Sequence, residues 1–462
     1  MGTNKNLDFF FNPGSVAIVG ASERPGKISR IILESLAKTG FKGSIYPVNP
    51  KYDTVAGLKC YPSLSVIGEA IDVAVLALPA ENVPEALMGC AGIAKGAIIV
   101  SGGFAEVGGK GKELEKAVRE ISKKEGIRVI GPNCMGIYDA ISRLDTFFIP
   151  PERIQRPKAG GLSIISQSGS FAITAMDELA AEGIGVARVV SYGNKSDVNE
   201  ADCLDFLADD EATKAVAIYI ESVEEGRKFV EAASRCCAKK PVMAIKVGKA
   251  GAGITAAGSH TGAIAGRYEV YRAAFKKAGI IELGGYEEFT VACKAFGMQN
   301  EAKGNRVMII TDGGGMGVGI ADACFELGLE VPPLTEELKK GLKPMFPPYF
   351  SVSNPIDLTG SATDEWYADA LEKTMAGDNY DMAIVAALWG PPALTDRLPD
   401  MLARKRGFGN KPVIICSPGG VFSRSKLELF RKAGLPVFSS PEAAVRAAAV
   451  LAKGAKAKRG RS

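Results

Sequence analysis

One histidine, His260, stands in a chain of 462 residues. If imidazole chemistry happens on this chain, it happens there. Neutral imidazole, with an ordinary pKa of about 6.5, can attack phosphorus near pH 7 without a separate base. The stretch around it, Lys246 to Gly266, follows the apolar run Pro241 to Val247 and then dissolves into Gly, Ala and Ser. Such residues pack no core and leave a backbone free to move. The stretch therefore predicts a carrier arm, with a surface histidine in a loop as the plainer alternative. Glu221 is the second candidate. It ends the apolar run Ala215–Ile220, where a parallel sheet places its chemistry; the other reading is an acid at a helix start. Third comes Ser166-Gln167-Ser168-Gly169-Ser170, between a strand and a helix. Ser168, Gly169 and Ser170 suit a helix cap and suit an anion cradle equally.

A separate group of turns lies upstream. The apolar run Ser15–Val19 opens into Gly20-Ala21-Ser22-Glu23-Arg24-Pro25-Gly26-Lys27. Glycines there let backbone N–H groups approach a phosphate, and a helix N-terminus adds about half a positive charge. Lys27 and Lys51 are available for phosphates, or are solvated surface lysines. The opening is not Gly-x-Gly-x-x-Gly, and the next strand ends in Val48-Asn49-Pro50-Lys51 rather than in an acid that would hold an NAD ribose. A nucleotide-containing ligand of another kind remains. The run Asp312 to Gly317 could cradle a phosphate too, or serve tight strand–helix packing.

These candidates need elements to hold them. Strand patterns at Ser15–Val19, Ser44–Val48, Val73–Leu78, Ala97–Val100 and Arg128–Ile130 alternate with helical ones, notably Ile28 to Gly40 and Gly111 to Glu125. Alternation of this kind predicts a parallel, doubly wound α/β sheet. Each strand ends in turn chemistry, including Pro79-Ala80, Ser101-Gly102-Gly103 and Gly131-Pro132-Asn133. After a connector, Asp139 to Lys158, the pattern restarts with strands Gly161–Ile165, Val186–Val190, Ala215–Ile220 and Pro241–Val247, and helices from Phe171 to Ala181 and from Arg267 to Ala278. A third unit repeats the layout from Arg306, with a helix from Val318 to Leu327. The predicted boundaries are 1–138, 139–300 and 301–462. The Pro-rich segment from Pro344 to Pro355 reads as an interface loop or a solvent loop, and the basic tail, Lys453 to Arg461, as a frayed end.

Composition excludes several classes. A net charge of +4, unclustered, gives no argument for nucleic acid. Nine cysteines without a CxxC pair argue against a disulfide framework, and one histidine excludes a histidine-rich metal site. No metal site is expected. The first eleven residues carry no signal-like apolar span, and no segment reaches the ~20 apolar residues of a membrane span. The expectation is a reduced, cytoplasmic protein without membrane partners.

Taken in order, Gly20-Ala21-Ser22 with Pro25, Gly131-Pro132-Asn133-Cys134-Met135-Gly136, Ser166-Gln167-Ser168-Gly169 and Ser259-His260-Thr261-Gly262 resemble the α subunit of NDP-forming acyl-CoA synthetases. The ADP-forming acetyl-CoA synthetases are the nearer branch and succinyl-CoA synthetase α a more distant one. The resemblance covers nearly the whole chain. It implies a Rossmann-like CoA-binding domain followed by two flavodoxin-like α/β domains. It also implies the reversible reaction of acyl-CoA, phosphate and ADP to carboxylate, CoA and ATP, through an acyl phosphate and a phosphohistidine. In that reading His260 carries the phosphoryl group, Glu221 orients or polarises the imidazole, and Ser168, Gly169 and Ser170 receive the phosphoryl. CoA is held by Gly20, Ala21, Ser22, Pro25 and Lys27, by Val48, Asn49, Pro50 and Lys51 at the nucleotide end, by Pro79, and by Ser101, Gly102, Gly103, Asn133 and Cys134 along the pantetheine channel. Cys134 invites an acyl-enzyme reading, but the resemblance makes it a binding residue.

The sequence has no Gly-x-x-x-x-Gly-Lys-Ser/Thr loop and no ATP-grasp pattern. ADP/ATP and Mg are therefore expected on an ATP-grasp β subunit, in an α2β2 complex by analogy. Two other classes compete. A CoA- or acyl-CoA-sensing module would need neither Glu221 nor the Ser-His-Thr-Gly stretch. An NAD-dependent oxidoreductase lacks its dinucleotide fingerprint.

Overall fold

The computed structural model describes residues 7–254, 267–405 and 410–459; His260 and the rest of 255–266 lie outside the described residues. Two compact units emerge. The first comprises residues up to 181 with 185–283, and the second comprises 182–184 with 284 onward.

The first unit holds two sheets. Strands β1 (Ser15–Val19), β2 (Ser44–Val48), β5 (Ile71–Leu76), β6 (Ala94–Ile99) and β7 (Arg128–Ile130) form a parallel sheet of order β2-β1-β5-β6-β7. A small antiparallel hairpin, β3 (Thr54–Val55) with β4 (Leu58–Lys59), lies outside it. The central strands are apolar and buried along most of their length, with Asp72 and Lys95 near their N-terminal ends as the exceptions, as a sheet covered by helices on each side requires. The helix Ile28–Thr39 buries Ile32, Leu33 and Leu36 and stops at Gly40, whose φ of +71° places it in the left-handed region that ends helices.

The second sheet has order β14-β13-β12-β10-β11-β8-β9, built from β8 (Gly136–Asp139), β9 (Leu144–Asp145), β10 (Ala159–Ser166), β11 (Val186–Ser191), β12 (Ala215–Ile220), β13 (Val242–Lys246) and β14 (Ile281–Leu283). Its parallel part is flanked by the antiparallel pair β8 and β9. That pair corrects the sequence reading, which has a connector from Asp139. The acids there look like loop residues because a charge on a buried strand is costly. Here each is paired: Asp139 with Arg188, and Asp145 with Arg156 at 2.8 Å. Arg188 also bridges Asp210 and lies against the rings of Phe11 and Phe206. Burial is tolerated because every charge has a partner.

In the second unit β15 (Val307–Thr311), β16 (Ile356–Asp357), β17 (Met382–Ala386), β18 (Val413–Cys416) and β19 (Val437–Phe438) form a parallel sheet of order β16-β15-β17-β18-β19. The glycines after β15 belong to the helix Gly314–Glu326, which starts four residues earlier than the apolar pattern suggests. A Cβ at Gly314 would come within 2.6 Å of Asp357, and one at Gly317 within 3.0 Å of Thr311. Tight strand–helix packing thus accounts for Gly314 and Gly317, though not for Gly315, where a Cβ would meet nothing within 4 Å. Within 344–355, Phe346 and Phe350 stack and are buried in the core of this unit. The basic tail, expected to fray, continues the helix Pro441–Arg459 as far as it is described, with Ala455 still buried. No helix among the described residues is long and apolar enough to cross a membrane.

Candidate functional site

The expected ligand residues separate into two hollows, both within the first unit. The first, of about 630 Å³, lies beyond the C-terminal ends of β1, β2 and β5. Gly20, Ser22, Lys27, Asn49, Lys51, Pro79, Ser101 and Gly102 line it, with Arg24 and Tyr52. Gly20 has φ +86°, and a Cβ on it would meet the Ala77 carbonyl oxygen at 2.6 Å, so β1 and β5 close together only around a glycine. Lys27 is the residue before the helix Ile28–Thr39; with Arg24 and Lys51 it gives the rim a cationic edge at a helix N-terminus. Asn49 holds the turn shut by donating to the Ala21 carbonyl at 2.7 Å and accepting from the Lys51 N–H at 3.0 Å. Ala21 and Val48 are buried beneath this hollow, and Pro25 and Pro50 are exposed beside it.

The second hollow, of about 450 Å³, lies where the turns after β6, β7, β10, β11 and β12 meet. Asn133, Cys134, Ser168, Gly169, Ser170 and Glu221 all line it. The helix Gly169–Ala181 points its N-terminus here. Ser168 Oγ accepts the Phe171 N–H at 3.3 Å and lies 3.1 Å from Ser170 Oγ, so Ser168 caps the helix while its turn lines the hollow. Glu221 is 6 % exposed. It caps no helix: the helix that follows spans Gly226–Lys239. The neighbouring Gln167 is fully committed, its Oε1 accepting the N–H groups of Glu221 and Ser222 at 3.0 Å each and its amide donating to Ser222 Oγ at 3.2 Å.

Cys134 is buried, and its thiol faces the Ile99 carbonyl at 3.3 Å. Burial pushes its pKa up to about 12. At neutral pH it is a thiol, which makes a poor nucleophile.

Ser101 joins the two hollows. Its carbonyl accepts the Asn133 N–H at 2.8 Å, and its hydroxyl donates to the Leu78 carbonyl. Gly103 donates to Glu106 at 2.6 Å. Burial pushes the Glu106 carboxyl up, but hydrogen bonds from Asn194, Gly103 and Phe104 outweigh it and hold the group below the ordinary carboxylate range.

Sequence reasoning misses the turn Gly193-Asn194-Lys195 after β11. Gly193 has φ +56° and lies so close to the Pro132 and Asn133 carbonyls that a Cβ would overlap both. Asn194 donates to Glu106 at 2.7 Å and Glu115 at 2.9 Å, and accepts from Asn133 at 3.3 Å. Lys195 lines the hollow beside Glu221. A signal was present: Gly-Asn follows a strand after one intervening residue, Tyr192, close to the position that singled out the other turns. Glu115 and Arg119, from the helix Gly109–Glu125, also face the hollow, and nothing in their local pattern marks them. Among the described residues no group of acids, cysteines and histidines is arranged to hold a metal.

Three family models match in sequence: a CoA binding domain at residues 14–140, a succinyl-CoA ligase like flavodoxin domain at 159–296 and a ligase-CoA domain at 307–462. The α subunit of acetate–CoA ligase [ADP-forming] I from Pyrococcus furiosus is 38% identical over 461 residues, covering 98% of both chains. The chain belongs to the ADP-forming acetate–CoA ligase α-subunit family. An ADP-forming acetate–CoA ligase from Methanocaldococcus jannaschii is also 38% identical, over 98% of this chain but 64% of its own length. The solved dinucleotide-forming acetyl-coenzyme A synthetase 1 of Candidatus Korarchaeum cryptofilum, in complex with phosphate and ADP, superposes with a TM-score of 0.92 at 34% identity, covering 98% of each chain. As a ligase α subunit, the chain has its CoA-binding domain in the sheet that carries the 630 Å³ hollow and its flavodoxin-like domain in the sheet that carries Ser168 and Glu221.

Proposed function

We propose that this ligase subunit converts acyl-CoA and phosphate to an acyl phosphate and then carries the phosphoryl group on His260 to ADP bound by a partner chain. A phosphate oxygen attacks the thioester carbonyl, the C–S bond breaks, and CoA leaves as the thiol once protonated. The His260 nitrogen then attacks phosphorus, the P–O bond to the acyl group breaks, and the carboxylate departs. Finally an ADP β-phosphate oxygen displaces the imidazole and ATP forms.

The observation carrying this reading is the 450 Å³ hollow, where Ser168, Gly169 and Ser170 at a helix N-terminus face the same space as Glu221, Asn133 and Cys134. A phosphoryl group carries nearly two negative charges and needs fixed donors rather than an apolar wall. Gly20, Ala21, Ser22, Pro25, Lys27, Val48, Asn49, Pro50, Lys51 and Pro79 take the CoA nucleotide end in this proposal, and Ser101 to Gly103 with Asn133 and Cys134 guide its thiol end across the shared wall. Glu221 orients the imidazole. Magnesium and ADP belong to an ATP-grasp partner in an α2β2 assembly; the α-subunit naming of the Pyrococcus relative and the greater length of the Methanocaldococcus one support a further nucleotide-binding part. Three domains, at 1–138, 139–300 and 301–462, are the corresponding division.

Intact-mass analysis after mixing with acetyl phosphate tests the reading. One phosphate is expected on the chain, lost in acid, stable in base and absent from His260→Ala, which still binds CoA. No mass gain while CoA binds would favour a sensing module and overturn the proposal.

A further inference from the structure

The search outside the assigned residues ends on a buried lysine. Lys195 is 5 % exposed and has φ +53°, a left-handed backbone that a long side chain adopts only where neighbours enforce it. Its Nζ donates to the Ser222 carbonyl at 2.6 Å and lies 3.5 Å from Glu200 Oε2. Burial raises the Glu200 carboxyl, and the Lys195 charge opposes that rise. A buried ammonium with a carboxylate and a carbonyl around it is costly to assemble and gives little net stability. Its retention calls for another role.

Its position supplies one. The backbone of Glu221 and Ser222 is gripped at three successive peptide groups. Gln167, 7 % exposed, takes the two N–H groups, and Lys195 takes the Ser222 carbonyl. Gln167 belongs to the turn that starts the Ser168–Ser170 cradle, and Lys195 to the turn locked on Pro132 and Asn133. Both gripping side chains line the same hollow as Glu221.

We infer that Lys195 is a positioning residue of the phosphoryl-transfer step, acting through the Ser222 carbonyl to fix where Glu221 presents its carboxylate. The inference rests on the proposed role of Glu221. An acid that orients an imidazole must hold its place to within about 0.5 Å to be effective. A strand end followed by a turn does not hold that tolerance without side chains bracing it.

A double-mutant cycle tests this on the full-length protein, with the rate of phosphate uptake from acetyl phosphate as readout. Lys195→Met is expected to slow uptake at least tenfold while the Kd for CoA stays within twofold, and Lys195→Arg to recover part of the rate. Because Lys195 acts through Glu221, adding Lys195→Met to Glu221→Gln should slow uptake less than twofold further. Multiplying losses, or an unchanged rate in Lys195→Met, overturns the inference while leaving the proposed function intact. Should Lys195→Met fail to fold, the same cycle with Gln167→Met, which removes the oxygen that accepts the Glu221 and Ser222 N–H groups, tests the grip from its other side, and independent losses there overturn it as well. Wild-type protein that takes up no phosphate refutes the proposed function itself, a distinct result.

Discussion

Cys134 lines the hollow proposed for acyl transfer, so its ionisation decides between a covalent and a non-covalent form of that proposal. An ordinary thiol titrates at 9.0, and burial moves this one to about 12. At pH 8 the thiolate fraction falls from about one in ten to about one in 10⁴, a ~10³-fold loss of the attacking species. The hydrogen bond to the Ile99 carbonyl stabilises the protonated form further, because a thiolate has no proton to donate there. Iodoacetamide at pH 8, followed by peptide mass mapping, should label Cys134 roughly 10³-fold more slowly than a free thiol of the same assay. Labelling should accelerate about tenfold per pH unit up to the limit of native structure. The other eight cysteines are buried too, so each serves as an internal control for access. Cys134→Ser keeps a donor for the Ile99 carbonyl and should retain ligase turnover within about tenfold, the packing cost of a buried polar swap. Stoichiometric alkylation within minutes, or a Cys134→Ser enzyme with turnover reduced more than 10⁴-fold, would refute the reasoning and restore a covalent thioester to the mechanism.

Three further outcomes are expected. Glu221→Gln should cut phosphate uptake by on the order of 10²-fold, measured by quench-flow; an unchanged rate would remove Glu221 from the step. Gly193→Ala forces a left-handed alanine into the Pro132 and Asn133 carbonyls, a combined cost of about 2–5 kcal/mol from backbone strain and overpacking, so its thermal midpoint should fall by several degrees and CoA-dependent turnover with it; a midpoint within one degree of wild type contradicts the close contact. For Glu106, the folded carboxyl titrates below its ordinary 4.5, so the folded state binds that proton less readily than the unfolded chain. Its stabilising contribution is full above about pH 4.5 and is lost as pH falls through the folded value. The gap in thermal midpoint between wild type and Glu106→Gln should therefore narrow on acidification from pH 6; a gap independent of pH counts against the network around Asn194.

Much of this molecule is written locally. Apolar runs such as Ser15–Val19 and Ala215–Ile220 become strands because their burial on both faces needs no detail from elsewhere, and Gly40 ends its helix through its own left-handed backbone. The turns after those strands carry the glycines, serines and asparagines that line both hollows, so the gathering of Gly20, Asn49 and Ser101 at one hollow and of Asn133, Ser168 and Glu221 at the other was legible from their places at strand ends. Pairing across the chain was not legible. Asp139 and Asp145 read as loop acids until Arg188 and Arg156 arrive from 49 and 11 residues away. Asn194 and Lys195 look like ordinary turn residues until Glu106, Glu115 and Ser222 close around them. Sequence alone determines what depends on neighbours three or four residues distant, namely periodicity, capping and turn type. Tertiary structure alone decides which distant charges meet, because the energy of a buried charge depends on the partner the fold brings to it and on nothing in its own segment.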